Sequence, residues 1–244
     1  MAQIRKELSL DERKAKATAW ALTFADVVTL LLTFFVLLLV MLNDAEKRLS
    51  ILIDKLLDET YEEMTQGLSY ENIEVERETK GIKITITGNL FKSTSSEIEP
   101  VYYSVVHEIG QIISESALMN LKDRKEHQQL LKIVDQQNAI LNVEIRCEGH
   151  TDDAKLPPNA DYPSNWELSS ARSLNLVRLM NKHAGMSEKY FSALGYGEFR
   201  PVVDVSDIEN FKDKQKARAK NRRVEIYLDA FIKQKVEIEK KVNI

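Results

Sequence analysis

Polar and apolar residues divide this chain into one long apolar block followed by short alternating or amphipathic stretches. The block runs from Ala17 to Leu42, interrupted by a single ionisable residue, Asp26. At about 1.5 Å per helical residue it would extend roughly 39 Å, more than the ~30 Å hydrocarbon core of a bilayer. It predicts a membrane-crossing helix over 17–42, preceded by a tail at 1–16. Beyond it, Leu49, Leu52 or Ile53, Leu56, Thr60 and Met64 recur at helical spacing, which predicts a short amphipathic helix closed near Gly67 within a linker or plug segment, 43–72.

From residue 73 to 230 the pattern is that of a folded domain. Strands are expected at 71–78 and at 81–87, where Gly81-Ile82-Lys83-Ile84-Thr85-Ile86-Thr87 alternates. A polar loop over 90–99 leads to a helix from Pro100 to about Leu118, and a charged helical stretch follows at 123–137. A strand at 141–148 precedes a loop rich in proline and asparagine, then a helix from Trp166 to about His183. Ser164-Asn165-Trp166-Glu167 forms a capping box for that helix. Residues 202–216 read as loop, 223–228 as a last strand, and the charged tail 231–244 as a frayed helix. The order ββ, α, (α), β, α, β predicts an α+β fold: a single transmembrane helix followed by a mixed sheet with helices on one face.

Composition narrows the class. The 244 residues carry 34 Lys and Arg against 38 Asp and Glu, a net charge of −4, which gives no reason to expect nucleic acid as a partner. The apolar block is too long for a secretory leader and lacks a small-x-small site at its end, so it is expected to remain as an anchor. Arg5, Lys6, Arg13, Lys14 and Lys16 precede it, whereas Asn43-Asp44-Ala45-Glu46 follows. The positive-inside rule then places the N-terminus in the cytoplasm and the larger part outside. Cys147 is the lone cysteine and sits on the apolar face of an alternating strand, as a buried structural thiol would.

Two groups of residues carry candidate chemistry. An aspartate inside a membrane helix costs on the order of 2.5–3.5 kcal/mol, so Asp26 marks an ion or proton path by default. The alternative is a tolerated polar residue bonded to a neighbouring helix. Thr23, Thr29 and Thr33 offer hydroxyls near it, with Thr29 and Thr33 the better placed at i+3 and i+7. One helix cannot enclose such a path, so a multi-spanning partner is required.

The second group comprises four segments: Glu148-Gly149-His150-Thr151-Asp152-Asp153, Asn165 to Arg172, Gly195 to Pro201, and Ala219 to Ile226. Asn165, Ser169 and Arg172 share one helical face, with Leu168, Ala171, Leu174 and Val177 turned toward a core. Together they offer a carboxylate, a guanidinium, an amide and loop N–H groups, which suits a zwitterionic ligand. Asp152 would take its ammonium and Arg172 its carboxylate. Spacing alone leaves open an Asp152–Arg172 salt bridge that only fixes a loop.

GHTD, NWELSSAR, GYGEFRP and NRRVEI, in that order over roughly 73–230, resemble the OmpA/MotB-type peptidoglycan-binding domain. Trp20, Phe24-Ala25-Asp26, Thr29, Leu30, Phe34 and Phe35 resemble the membrane segment of MotB-family stator subunits. The first resemblance implies that the diaminopimelate of a peptidoglycan stem peptide is the ligand, with Thr151, Asn165 and Arg222 assisting Asp152 and Arg172. The second maps the ion-binding aspartate onto Asp26. It implies a homodimer within five copies of a MotA/ZorA-type subunit, moving H+ or Na+, and no cofactor. The short linker and the helix near 123–137 make the chain most similar to the MotB-like (ZorB) branch of Zorya anti-phage systems, which implies a proton-driven motor in a bacterial inner membrane with its outer domain in the periplasm; a flagellar stator driven by protons or sodium, and a passive wall tether, are the rival readings.

Other signals point nowhere definite. His150, Asp152 and Asp153 lack a distant further ligand, so no metal is expected. His107, His127 and His183 are scattered, and no Ser–His–Asp order or Walker loop is present, so no enzymatic activity is expected. The basic run from Lys212 to Arg223 reads as a solvated face.

Overall fold

The computed structural model describes residues 9–121, 124, 127–136 and 138–235. The chain divides into two compact units, residues 1–50 and 51–244. The tail 236–244, most of the segment read as a frayed helix, lies outside the described residues, as do 1–8.

Helix α1 (Leu10–Gly67) includes both the apolar block and the amphipathic stretch that follows it. No glycine or proline occurs from Leu10 to Gln66, and nothing in that stretch opposes helix propagation. A capping box starts α1: Ser9 Oγ accepts from the Glu12 amide at 3.3 Å, and Glu12 accepts from the Ser9 amide at 2.9 Å. In the first unit every described side chain from 18 to 41 is exposed. The stretch Leu10–Met41 has a mean hydropathy of 2.6, so it needs lipid or other protein around it.

The second unit contains β1 (Ile73–Glu78), β2 (Gly81–Thr87), α2 (Tyr103–Glu115), α3 (Gln128–Gln136), β3 (Ala139–His150), α4 (Asn165–Ala184), β4 (Phe191–Gly195), α5 (Phe211–Asn221) and β5 (Arg223–Gln234). The strands form one sheet in the order β1-β2-β5-β3-β4, antiparallel except for β3–β4. That parallel pair needs a crossover, and α4 supplies it. Ile82, Ile84 and Ile86 on β2, Ile145 and Cys147 on β3, and Val224, Ile226 and Leu228 on β5 are buried, the apolar half of each alternation. Val106, Ile109 and Ile113 of α2 and Leu168, Leu176 and Met180 of α4 are buried with them. Burial pushes the Cys147 thiol up to about 12, as befits a structural cysteine.

Four sequence expectations change. Residues 191–195 form β4, which was not foreseen, and 211–221 form α5 where a loop was expected. β5 continues to Gln234 because β3 pairs with it out to Ala139, so 230–234 is strand and not helix. Leu174 is exposed, not a core residue; α4 turns Leu176 and Met180 inward instead.

The part of α1 that belongs to the second unit is built into its core. Leu56, Leu57, Thr60 and Met64 are each at most 1% exposed. Arg77 of β1 pairs with Asp58 at 2.8 Å and Asp54 at 3.2 Å, and Arg124 pairs with Glu63 at 2.8 Å. Glu63 also accepts from the Ala117 amide, so its charge is engaged at the end of α2.

Candidate functional site

Asp26 and three threonines lie on one side of α1. Successive residues turn by about 100°, which places Thr23, Asp26, Thr29 and Thr33 within an arc of roughly 120°. Each hydroxyl donates backward to its own helix: Thr23 to Trp20 O at 2.9 Å, Thr29 to Asp26 O at 2.8 Å, Thr33 to Leu30 O at 2.9 Å. The hydroxyl protons are thereby occupied, and the oxygens present lone pairs outward. This polar stripe is suited to a cation or a proton-carrying water, while the rest of the helix surface is apolar.

In the second unit a cavity of about 480 Å³ opens at the C-terminal end of β3, and all five residues singled out for ligand binding line it: Thr151, Asp152, Asn165, Arg172 and Arg222. Gly149 and Gly195 allow this gathering. A Cβ on either would collide with the backbone of Ser169 or Ser170, so glycine lets the first turns of α4 lie on the sheet. Ser164 caps α4 by accepting from the Trp166 amide, and Ser169 Oγ accepts from the Gly197 amide at 2.9 Å, joining the β4–α5 connection to the helix.

Asp152 does not pair with Arg172. Its Oδ2 is bound by Arg222 Nη1 at 2.6 Å, and its Oδ1 accepts from the Ala154 amide at 3.2 Å. Arg172 donates through Nε to Ser95 O at 2.9 Å, and its guanidinium lies 5.1 Å from the Phe91 ring centre. Burial draws the Arg172 pKa down to about 10, with the nearby Arg222 charge adding to the fall and Asp152 and Tyr162 opposing it. It remains a cation at neutral pH. Asn165 Nδ2 donates to Asp152 O, Ala154 O and Glu198, and so shapes the rim. Thr151 is 4% exposed and its Oγ1 has no hydrogen-bond partner, a donor left over for something in the cavity. Arg172, Arg222, Arg223 and Lys155 set against Asp152 and Glu99 give the lining both signs of charge, with the cations in excess.

The opposite wall was not foreseen. Leu90, Phe91, Ser93 and Thr94 line the cavity from a segment read only as polar loop. The one signal there was Leu90-Phe91, an apolar pair entering a polar stretch. His150 does not join Asp152 and Asp153. It belongs to a buried polar ladder with Glu148 and Glu225, while Asp153 holds Arg218 of α5 with two bonds of 2.7 and 2.8 Å.

Comparison with known proteins agrees with this geometry at both ends. Residues 5–59 match the family described as membrane MotB of the proton-channel complex MotA/MotB, and residues 113–215 match the OmpA family. Motility protein B of Bacillus subtilis is 28% identical over 263 aligned residues, covering 93% of this chain and 96% of that protein. The Bacillus subtilis protein YtxE is 26% identical over 227 residues, covering 87% and 88% of the two chains. A MotB-like protein from Desulfovibrio vulgaris shares the fold, with a TM-score of 0.54, 22% identity, and coverage of 76% of this chain and 98% of that one. The chain is therefore similar to MotB along its length, with an N-terminal segment that matches the membrane MotB model and a later segment that matches the OmpA model.

Proposed function

We propose that this chain is the ion-conducting and wall-anchoring subunit of a membrane rotary motor, a stator subunit of the motility type. The observation that carries the reading is the end-to-end likeness to Motility protein B, with the lone ionisable residue of the membrane block intact at Asp26. In this reading two copies of α1 stand within a ring of multi-spanning MotA-like subunits, five by family resemblance. Asp26 takes up and releases a proton, or a sodium ion, on the polar stripe it shares with Thr29 and Thr33. The N-terminus is cytoplasmic, and the second unit is outside. There Asp152 receives the ammonium and Arg172 the carboxylate of a peptidoglycan stem peptide, with Thr151, Asn165 and Arg222 supporting them.

Anchoring holds the dimer still, so that ion flow turns the partner ring instead of the subunit. A stator of a Zorya-type defence motor, with a ZorA-like partner, would use the same parts. That reading leans on a short linker, and a chain that spans 96% of Motility protein B is not short beside a motility subunit. The test is Asp26→Asn, which keeps size and polarity but cannot exchange a proton. It should abolish motor output while the protein still assembles in the membrane and binds peptidoglycan. Full output from Asp26→Asn would reduce the chain to a passive tether. Restoration of swimming in a stator-deficient strain, against restoration of phage resistance, separates the two motor readings.

A further inference from the structure

The cluster of Glu148, His150 and Glu225 meets the cavity only through His150, which lines it, and plays no part in the ligand chemistry described above. The β3–β5 register sets Glu148 opposite Glu225 and His150 opposite Arg223, so these side chains stand together on one face of the sheet. All are buried, at 4%, 2%, 7% and 8% exposure for Glu148, His150, Glu225 and Arg223. Each carboxylate has one oxygen occupied by an arginine: Glu148 Oε1 by Arg146 Nε at 2.8 Å, and Glu225 Oε1 by Arg223 Nε at 2.6 Å. The second oxygens turn toward His150. Its Nε2 lies 3.5 Å from Glu225 Oε2 and 3.9 Å from Glu148 Oε2.

These separations exceed the ~2.7–2.9 Å of a charge-assisted hydrogen bond. Neither nitrogen of His150 has a hydrogen-bond partner, although the ring is almost wholly buried and stacked on Tyr196. A buried imidazole with both nitrogens unmet, facing two carboxylate oxygens across a small gap, is a donor set without its acceptor. Arg146 also reaches Asp229 at 3.4 Å, and Lys83 on the adjacent strand is committed to Glu76 and Glu78.

We infer that Glu148, His150 and Glu225 form a site for a zinc-class divalent cation, bound by His150 Nε2 and one oxygen of each glutamate, with a water completing the tetrahedron. One imidazole with two carboxylates is a donor set that zinc accepts. Bonds of about 2.0–2.2 Å in a tetrahedron place ligand atoms about 3.3–3.6 Å apart, close to the spacing found and within reach of a small inward shift. Arg146 and Arg223 orient the carboxylates from behind, and the Tyr227 hydroxyl, 2.8 Å from Glu225 Oε2, does the same from the side. The site ties β3 to β5 just below Thr151 and Asp152, fixing the floor of the ligand cavity. Ligand spacing along the chain does not announce this set, because Glu225 lies far from His150 in sequence and reaches it through the strand register alone.

The experiment uses the full chain in detergent, stripped with EDTA and titrated with Zn2+ by calorimetry and with Co2+ by visible absorption. The expected result is one saturable equivalent per chain and the d–d bands of a low-coordinate cobalt site. His150→Gln and Glu148→Gln, each checked for native circular dichroism, should weaken that equivalent by at least about tenfold. No saturable equivalent in the folded chain would overturn the site. So would unchanged affinity in a folded His150→Gln, which would show an ion held elsewhere. Should both variants fail to fold, the cobalt spectrum of the unaltered chain decides, since an octahedral spectrum rules the imidazole–carboxylate site out. Peptide binding is read separately and does not enter this outcome.

Discussion

In the proposed function, Arg172 is the residue on which recognition in the cavity turns. It is buried, its Nε is used by Ser95 O, and Phe91 covers one face, so only part of the guanidinium is left for a ligand. That arrangement relies on a planar fork, which lysine lacks. Arg172→Lys, though it keeps the charge, is expected to raise the dissociation constant for a diaminopimelate-containing tripeptide by about tenfold or more, read by calorimetry. Equal binding by the lysine variant would show that a point charge suffices. Residues such as Arg172 and Asp26 are legible in the sequence because each breaks a local pattern: a charge within a helix start rich in small polar residues, and an acid within an apolar block. Phe91 and Glu225 break none. They join their partners only through folding, Phe91 by loop placement and Glu225 by the register of β5 on β3.

Among the elements, those with strong periodicity were legible, and those held by partners were not. β2, α4 and the amphipathic stretch of α1 follow their alternation or helical spacing. β4 has five residues and no alternation of its own, and exists because β3 offers it a parallel edge. α5 (Phe211–Asn221) is charged on nearly every side, with only Ala217 and Asn221 buried, so no apolar stripe announces it. Its start is fixed by Asn210, which caps it through the Lys212 and Asp213 amides, and it is clamped to the β3–α4 loop by Asp153 and Arg218. The Arg218 guanidinium holds the Asp153 carboxyl below its ordinary range. An unfolded aspartate takes up its proton near pH 3.9, the folded one only in stronger acid, so the clamp stabilises fully above about pH 4 and fades as the pH falls through the folded value. Because Asp153 is 40% exposed, screening keeps the effect to about 1 kcal/mol or less. Asp153→Asn should therefore cost about that much at pH 7 in urea unfolding, and progressively less as acid protonates the folded carboxyl. The α1 segment after Ser50 makes a larger claim. Leu56 is 1% exposed, so Leu56→Ala should destabilise the second unit by about 2–4 kcal/mol, measured the same way. A segment free to move as a plug would give far less.

At the scale of the whole molecule, the proposed function has the two units divide the labour of a stator, one carrying the ion step and the other resisting the torque it generates. The division makes a prediction that neither unit makes alone. Asp26→Asn leaves the second unit untouched, so the variant should still assemble, still grip the wall and still occupy partner subunits. Expressed in excess over the unaltered chain, it should therefore suppress motor output, because a dimer containing it holds partners without completing an ion cycle. Adding Arg172→Ala to the same variant removes the grip. If output requires assembly at an anchored position, the doubly altered chain should interfere much less at equal expression, as judged by swimming speed or the corresponding motor assay. Equal interference by both forms would mean that occupancy of the partner, and not wall binding, governs which subunits are engaged. The lack of any interference by Asp26→Asn would mean that subunits act singly, and the shared polar stripe of two α1 helices would lose its purpose.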